Sequence, residues 1–219
     1  MKDDSTVKVV DGVWKEAQNC ELLTWQNHDQ DGDDWNNWWS SRFDNYSFFN
    51  DLDIETILEV GCGPYAKNLE IVNSSLKKPA KNFILNDPLL DNYISLGKSV
   101  KRYENKSKIL SKPFEICDEK EIAPNSVDIA ICNNVLDHVY DVEALLNNIL
   151  KCLKKGGYLI FGQDLKNSTD KAWNQVDPMH PIRLTHQYLD EFLYKVLKRD
   201  EGRNPDYHYG TYILIGEKK

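Results

Sequence analysis

The chain has 219 residues, with 27 Lys and Arg against 35 Asp and Glu, a formal charge of −8 and 41% apolar residues. That length accommodates one principal domain with a small accessory segment and is ample for an enzyme. The acidic balance argues against a protein that tracks a phosphate backbone, and so against nucleic acid as a partner. Five cysteines, at positions 20, 62, 117, 132 and 152, form no CxxC pair, which fits buried thiols in a reducing compartment better than disulfides or zinc. The opening MKDDSTVKVV lacks a basic flank followed by an apolar stretch. No window approaches the roughly 18 apolar residues that a membrane span needs, so a cytoplasmic location is expected.

Taken in chain order, residues 1–52 stand apart by composition, holding five of the six tryptophans: Trp14, Trp25, Trp35, Trp38 and Trp39. Trp35, Trp38, Trp39, Arg42, Phe43 and Tyr46 recur at three- and four-residue spacing, which predicts a helix with one aromatic face, N-capped by Asp33 or Asp34. The segment reads as a helical cap or lid, with Trp38 among the residues facing a substrate. DQDGDD at 29–34 is not a calcium loop. Counted from Asp29, its sixth position is Asp34 instead of glycine and its twelfth is Ser40 instead of glutamate.

Residues 53–219 read as a second unit in which short apolar runs alternate with helical stretches. TILEV (56–60), a helix over about 66–76, FILND (83–87), a polar helical stretch near 91–108, FEICD (114–118), DIAICN (128–133), a helix over 141–154 and YLIFGQD (158–164) follow one another. Such alternation predicts an α/β, Rossmann-like, doubly wound and mainly parallel sheet. A loop over 165–183, a helix near 185–194, a strand near 195–200 and a final strand in YGTYILIGE (209–217) complete it, the last two as an antiparallel pair at the sheet edge.

ILEVGCGPY (57–65) joins the first strand to a glycine turn, the place where such sheets bind nucleotide-like cofactors. Gly61 and Gly63 let the backbone approach a ligand around Cys62, and Ala66 stands where a third glycine often does. Pro64 removes a backbone donor that a pyrophosphate would use, and Glu59 places a carboxylate close by. Both features suit a cationic cofactor such as S-adenosylmethionine, which carries a sulfonium and an ammonium and no phosphate.

The motif resembles the first motif of class I S-adenosylmethionine-dependent methyltransferases, and the likeness continues to the end of the chain. The resemblance implies a seven-stranded sheet with a last antiparallel strand. It places Asp87 on the ribose hydroxyls and Asp118 at the adenine, and adds Asn133, at the end of the fourth strand, to the cofactor contacts. APNSVDIAICNNVLDHVYD (123–141) and ALLNNILKCLKKGGYLIF (144–161) are similar to the family's fourth- and fifth-strand segments. The string CNN replaces the Asn/Asp-Pro-Pro-aromatic motif of members that methylate DNA or glutamine, which disfavours those substrates. HPIRLTHQYLDEFL (180–193) resembles a stretch in bacterial small-molecule methyltransferases, including some of capsular and other surface-saccharide pathways.

The expected activity is methyl transfer to a small-molecule hydroxyl, with His180 as general base ahead of Asp164 and His138, and Arg183 as a clamp for an anionic acceptor group. NNVLDHV partly resembles a metal-binding pattern of quinone-pathway methyltransferases, but Asn134 stands where the first acid belongs, so no metal is expected. The competing readings are an NAD-dependent oxidoreductase and a catalytically silent binding protein that retains the fold.

Overall fold

A computed structural model of the protein describes residues 5–28, 49, 52–165, 178–198 and 211–219. Seven strands form one sheet: β1 (Thr56–Val60), β2 (Asn82–Asn86), β3 (Lys108–Leu110), β4 (Val127–Asn133), β5 (Leu153–Asp164), β6 (Leu197–Lys198) and β7 (Thr211–Lys218). Their order is β3-β2-β1-β4-β5-β7-β6. The pairs β1–β2, β1–β4, β2–β3 and β4–β5 are parallel, whereas β7 runs antiparallel to both β5 and β6. This is the expected Rossmann-like α/β architecture, with β7 inserted between β5 and the short edge strand β6.

The central strands are apolar along their whole length because both faces of the sheet are covered. Successive residues supply two cores. Leu58, Ala130, Cys132, Leu159 and Phe161 pack on one face, with helices α4 (Val142–Cys152) and α5 (His186–Leu193). Ile57, Ile129, Ile131, Ile160 and Ile213 pack on the other, with α2 (Lys67–Ser75) and α3 (Leu90–Ser95). Asp128, nearly buried at the start of β4, ties the sheet together at that end. It accepts from the amides of Glu55 and Thr56 at 3.0 and 2.9 Å and from Lys154 Nζ at 2.6 Å.

Two expectations change. FEICD is not a strand: Phe114–Ile116 forms a 3₁₀ turn, and the third strand is KIL at 108–110, starting where the stretch read as polar helix ends. The aromatic stripe from Trp35 to Tyr46, Trp38 included, lies outside the described residues. The described N-terminal helix is instead α1 (Asp11–Gln26), preceded by a strap whose backbone bonds to Arg183 through Thr6 and to Tyr140 and Val142 through Val9 and Val7.

Candidate active site

The site forms at the carboxyl ends of β1, β2, β4 and β5, where a doubly wound sheet changes direction between β1 and β4. The turn after β1 carries Gly61 at φ 63°, Gly63 at φ 56° and Ala66 at φ 49°. Ala66, in the third glycine position, holds the left-handed conformation at the start of α2 despite its methyl group. A Cβ on Gly61 would lie 2.4 Å from Val135 Cγ2, so this glycine admits the loop after β4. A Cβ on Gly63 would meet nothing within 4 Å.

Two carboxylates shape the turn from opposite sides. Asp87, after β2, accepts from the Gly63 amide at 3.1 Å and from the Leu89 amide at 2.8 Å, and it also faces the cavity. Burial pushes its carboxyl up to about 6, against the pull of those two amides. Glu59 accepts from the Leu69 amide at 3.0 Å and from Asn68 Nδ2 at 3.2 Å. Burial raises it to about 7, and it does not line the cavity. It fastens β1 to the first turn of α2, so its bearing on a cofactor runs through the shape of the turn.

The cavity in front of this turn measures about 400 Å³. Gly61, Cys62, Gly63, Asp87 and Asn133 line it, as do the three expected catalytic residues His138, Asp164 and His180. Asn133 is 7% exposed, and neither polar atom of its side chain has a hydrogen-bond partner among the described residues. Asp118 is not brought there. It is exposed, its carboxylate accepts from the Lys120 and Glu121 amides, and it borders a separate small hollow, because the FEICD segment turns instead of extending. Phe114 and Glu115 of that turn line the cavity in its place. Glu115 accepts from the Tyr140 amide at 3.0 Å, and burial raises its carboxyl.

At the other end, Asn134 adopts φ 55°, and its Oδ1 accepts from the Asp164 amide at 3.2 Å. Gln163, fully buried, accepts from the Leu136 amide at 2.8 Å and so fixes the turn bearing Asp137 and His138. The His138 and His180 rings meet edge to face with centroids 4.5 Å apart. Burial, and then Asp137, raise the Asp164 carboxyl. Arg183 lines an adjoining hollow of about 190 Å³, shared with Asn134, Asp137, Asp164 and His180, and not the larger cavity.

The largest omission of the sequence reading is α1, which roofs the cavity with Trp14, Gln18, Glu21, Thr24 and Trp25. Gln18 Nε2 donates to the His138 carbonyl at 3.0 Å, and Trp25 packs edge-on against Tyr65 at 5.6 Å. Positions 14, 18, 21 and 25 are spaced by four, three and four, the same helical signal as in the 35–46 stripe. Among its described residues the cavity wall holds Glu21, Asp87, Glu115 and Asp164 and no Lys or Arg.

Residues 58–161, just under half of the chain, match the family described as "Methyltransferase domain". No curated protein matches by sequence. Among solved structures, the chain is similar to a chain of the complex between the Haloferax volcanii Trm112 methyltransferase activator and a candidate methyltransferase. The TM-score is 0.62 at 14% identity, covering 96% of this chain and 99% of that one. It is also similar to Haemonchus contortus phosphoethanolamine N-methyltransferase 1, solved with phosphoethanolamine and S-adenosylhomocysteine. There the TM-score is 0.61 at 11% identity, covering 96% of this chain and 50% of that one. A third, the cyclase SpnF, gives a TM-score of 0.60 at 14% identity over 91% of this chain and 77% of its own. These likenesses establish the fold of S-adenosylmethionine-dependent methyltransferases.

Proposed function

We propose that the protein is an S-adenosylmethionine-dependent methyltransferase acting on a hydroxyl of a small-molecule acceptor, with capsular and other surface-saccharide intermediates as the first class to test. The observation that carries the reading is the pairing of the Gly61–Gly63 turn, held by Asp87, with the buried amide of Asn133, which has no hydrogen-bond partner among the described residues, across one cavity. A buried amide without partners costs ~1–3 kcal/mol, a cost that a bound polar ligand removes. The cofactor is S-adenosylmethionine: the matched methyltransferase-domain family, the phosphate-free chemistry of the turn and the acidic cavity wall agree on it. The same wall disfavours a dinucleotide, whose pyrophosphate would face acids with no described cation.

Bound there, S-adenosylmethionine supplies a methyl group on a sulfonium whose charge is lost as the methyl transfers. The protein's task is alignment and proton removal. Asp87 retains acceptor capacity for ribose hydroxyls, since Oδ2 uses one lone pair on the Gly63 amide and Oδ1 one on the Leu89 amide. Fixing two reactants face to face supplies ~7–11 kcal/mol of a barrier. The hydroxyl proton leaves at the opposite end, where His180, His138 and Asp164 gather, and His180 is the group proposed to take it. Arg183 serves the part of the acceptor that reaches the smaller hollow.

Calorimetry with S-adenosylhomocysteine should give one site per chain, and labelled-methyl incorporation across hydroxylated sugars and metabolites should then identify the acceptor. Absence of S-adenosylhomocysteine binding overturns the reading. Tight binding without transfer to any acceptor returns it to a silent binding protein.

A further inference from the structure

We propose that Asp137, His138 and His180 form a binding site for a divalent transition-metal ion. Each offers one donor atom, and these atoms lie within 4.8 Å of one another. The donors come from two segments that the fold pins in place. The turn bearing Asp137 and His138 is held by Gln163 on the Leu136 amide and by Gln18 on the His138 carbonyl. His180 precedes the strap contact, in which Thr6 and Arg183 exchange backbone bonds of 2.7 and 3.1 Å.

The arrangement leaves a carboxylate in want of a cation. Asp137 Oδ1 is buried with no hydrogen-bond partner among the described residues. It stands 3.7 Å from His138 Nε2, beyond hydrogen-bonding range. A Zn–N bond of ~2.0–2.1 Å puts neighbouring ligand atoms roughly 3 Å apart, so side-chain movements of about an ångström close the set. Two imidazoles and one carboxylate are the donors preferred by zinc-like transition metals, whereas magnesium and calcium take oxygen. Glu21 Oε2 lies 3.8 Å from His138 Nδ1, on the side where an outer carboxylate orients a ligating imidazole. The absence of a metal was expected because Asn134 stands in the place of an acid; His180, from another segment, supplies the third donor.

His180 lines both the large cavity and the smaller hollow, so the ion sits where the two meet. Its chemical role rests on the methyltransferase reading above. An acceptor hydroxyl becomes a fourth ligand, its acidity rises, and its proton leaves to water. The oxygen–carbon bond then forms as the carbon–sulfur bond breaks. His180 is in that case a metal ligand and not the base.

The test titrates the metal-stripped 219-residue chain with Zn²⁺ near pH 7, with Mg²⁺ in parallel, and titrates S-adenosylhomocysteine separately. One Zn²⁺ per chain is expected, bound more tightly than Mg²⁺ and weakened at least tenfold by His180→Gln and by the isosteric Asp137→Asn. Both variants should keep the parent's far-UV circular dichroism spectrum and metal-free urea midpoint, which checks that they are folded. No stoichiometric Zn²⁺ binding, preference for Mg²⁺, or Zn²⁺ binding unchanged in both variants, which would assign it to thiols, overturns the site. The metal titration needs neither cofactor nor turnover. Its failure therefore leaves the methyltransferase reading standing, and loss of S-adenosylhomocysteine binding by the parent leaves the metal site standing.

Discussion

Asn133 and the two glycines show how single positions divide their service between fold and ligand. Asn133 keeps a buried amide with no partner among the described residues at the end of β4. Replacing it by the similarly shaped Leu removes that burden from the ligand-free protein. Asn133→Leu is expected to raise unfolding stability in urea by ~1 kcal/mol while weakening S-adenosylhomocysteine by at least roughly tenfold. If stability and affinity instead fall together, the amide is structural. Gly61 and Gly63 share a positive φ but face different surroundings. Gly61→Ala drives a methyl into Val135 and should cost ~1–3 kcal/mol of stability. Gly63→Asn suits the left-handed backbone and extends into open space, so stability should stay within ~1 kcal/mol while cofactor binding is lost. Urea midpoints and calorimetry on both variants check the contrast.

Among the elements, α1 contributes little to the core and much to the site. Only Ala17 and Gln18 are buried in its 16 residues, yet its inner face roofs the cavity. Deleting residues 1–27 should therefore leave a folded domain while weakening S-adenosylhomocysteine by at least roughly tenfold, because Trp25 stands against Tyr65 of the glycine turn. Unchanged affinity in the truncated, folded protein would reduce α1 to packing. That helix escaped the sequence reading for a physical reason: its N-cap is Val10, with no side-chain cap, and its exposed face carries Val13 and Leu23, which blur the amphipathic pattern. By contrast TILEV and DIAICN were legible, since strands covered on both faces must be apolar at every position. FEICD imitated that composition, but its Phe114 packs into the core as part of a 3₁₀ turn, and β3 was hidden by having only three residues at a sheet edge. With the strand replaced by a turn, Asp118 borders the separate hollow and Glu115 lines the cavity. The glycine turn, Asp87, Asn133, His138 and Asp164 could be grouped at one cavity from the sequence because each ends or follows a strand at the carboxyl edge, where connections in this fold gather; His180 belongs to the segment that leaves β5.

Over the whole molecule, burial holds four carboxyls of the described residues above their ordinary values: Glu59 at about 7 and Asp87 at about 6 are shifted most, and Glu115 and Asp164 are also raised. In the unfolded chain each ionises near 4, so between about pH 4 and 7 the folded state carries the extra protons. Stability from these groups is present at low pH and is lost as pH rises through the folded values, by ~1.4 kcal/mol per unit of difference. A ligand that donates hydroxyls or brings an ammonium to Asp87 favours its ionised form and reverses part of that loss. S-adenosylhomocysteine affinity should accordingly rise between pH 5 and 7 and level off above, and the melting-temperature increase it confers should grow over the same interval. Asp87→Asn should flatten both profiles in large part by removing the titrating group beside the turn, while Glu59 behind it and the raised Glu115 and Asp164 on the cavity wall leave a residual slope. Calorimetry and thermal melts across pH 5–8 decide the matter: an affinity in the parent that is constant or falls with pH would detach Asp87 from the ligand and leave it as the clasp of the Gly63 turn alone.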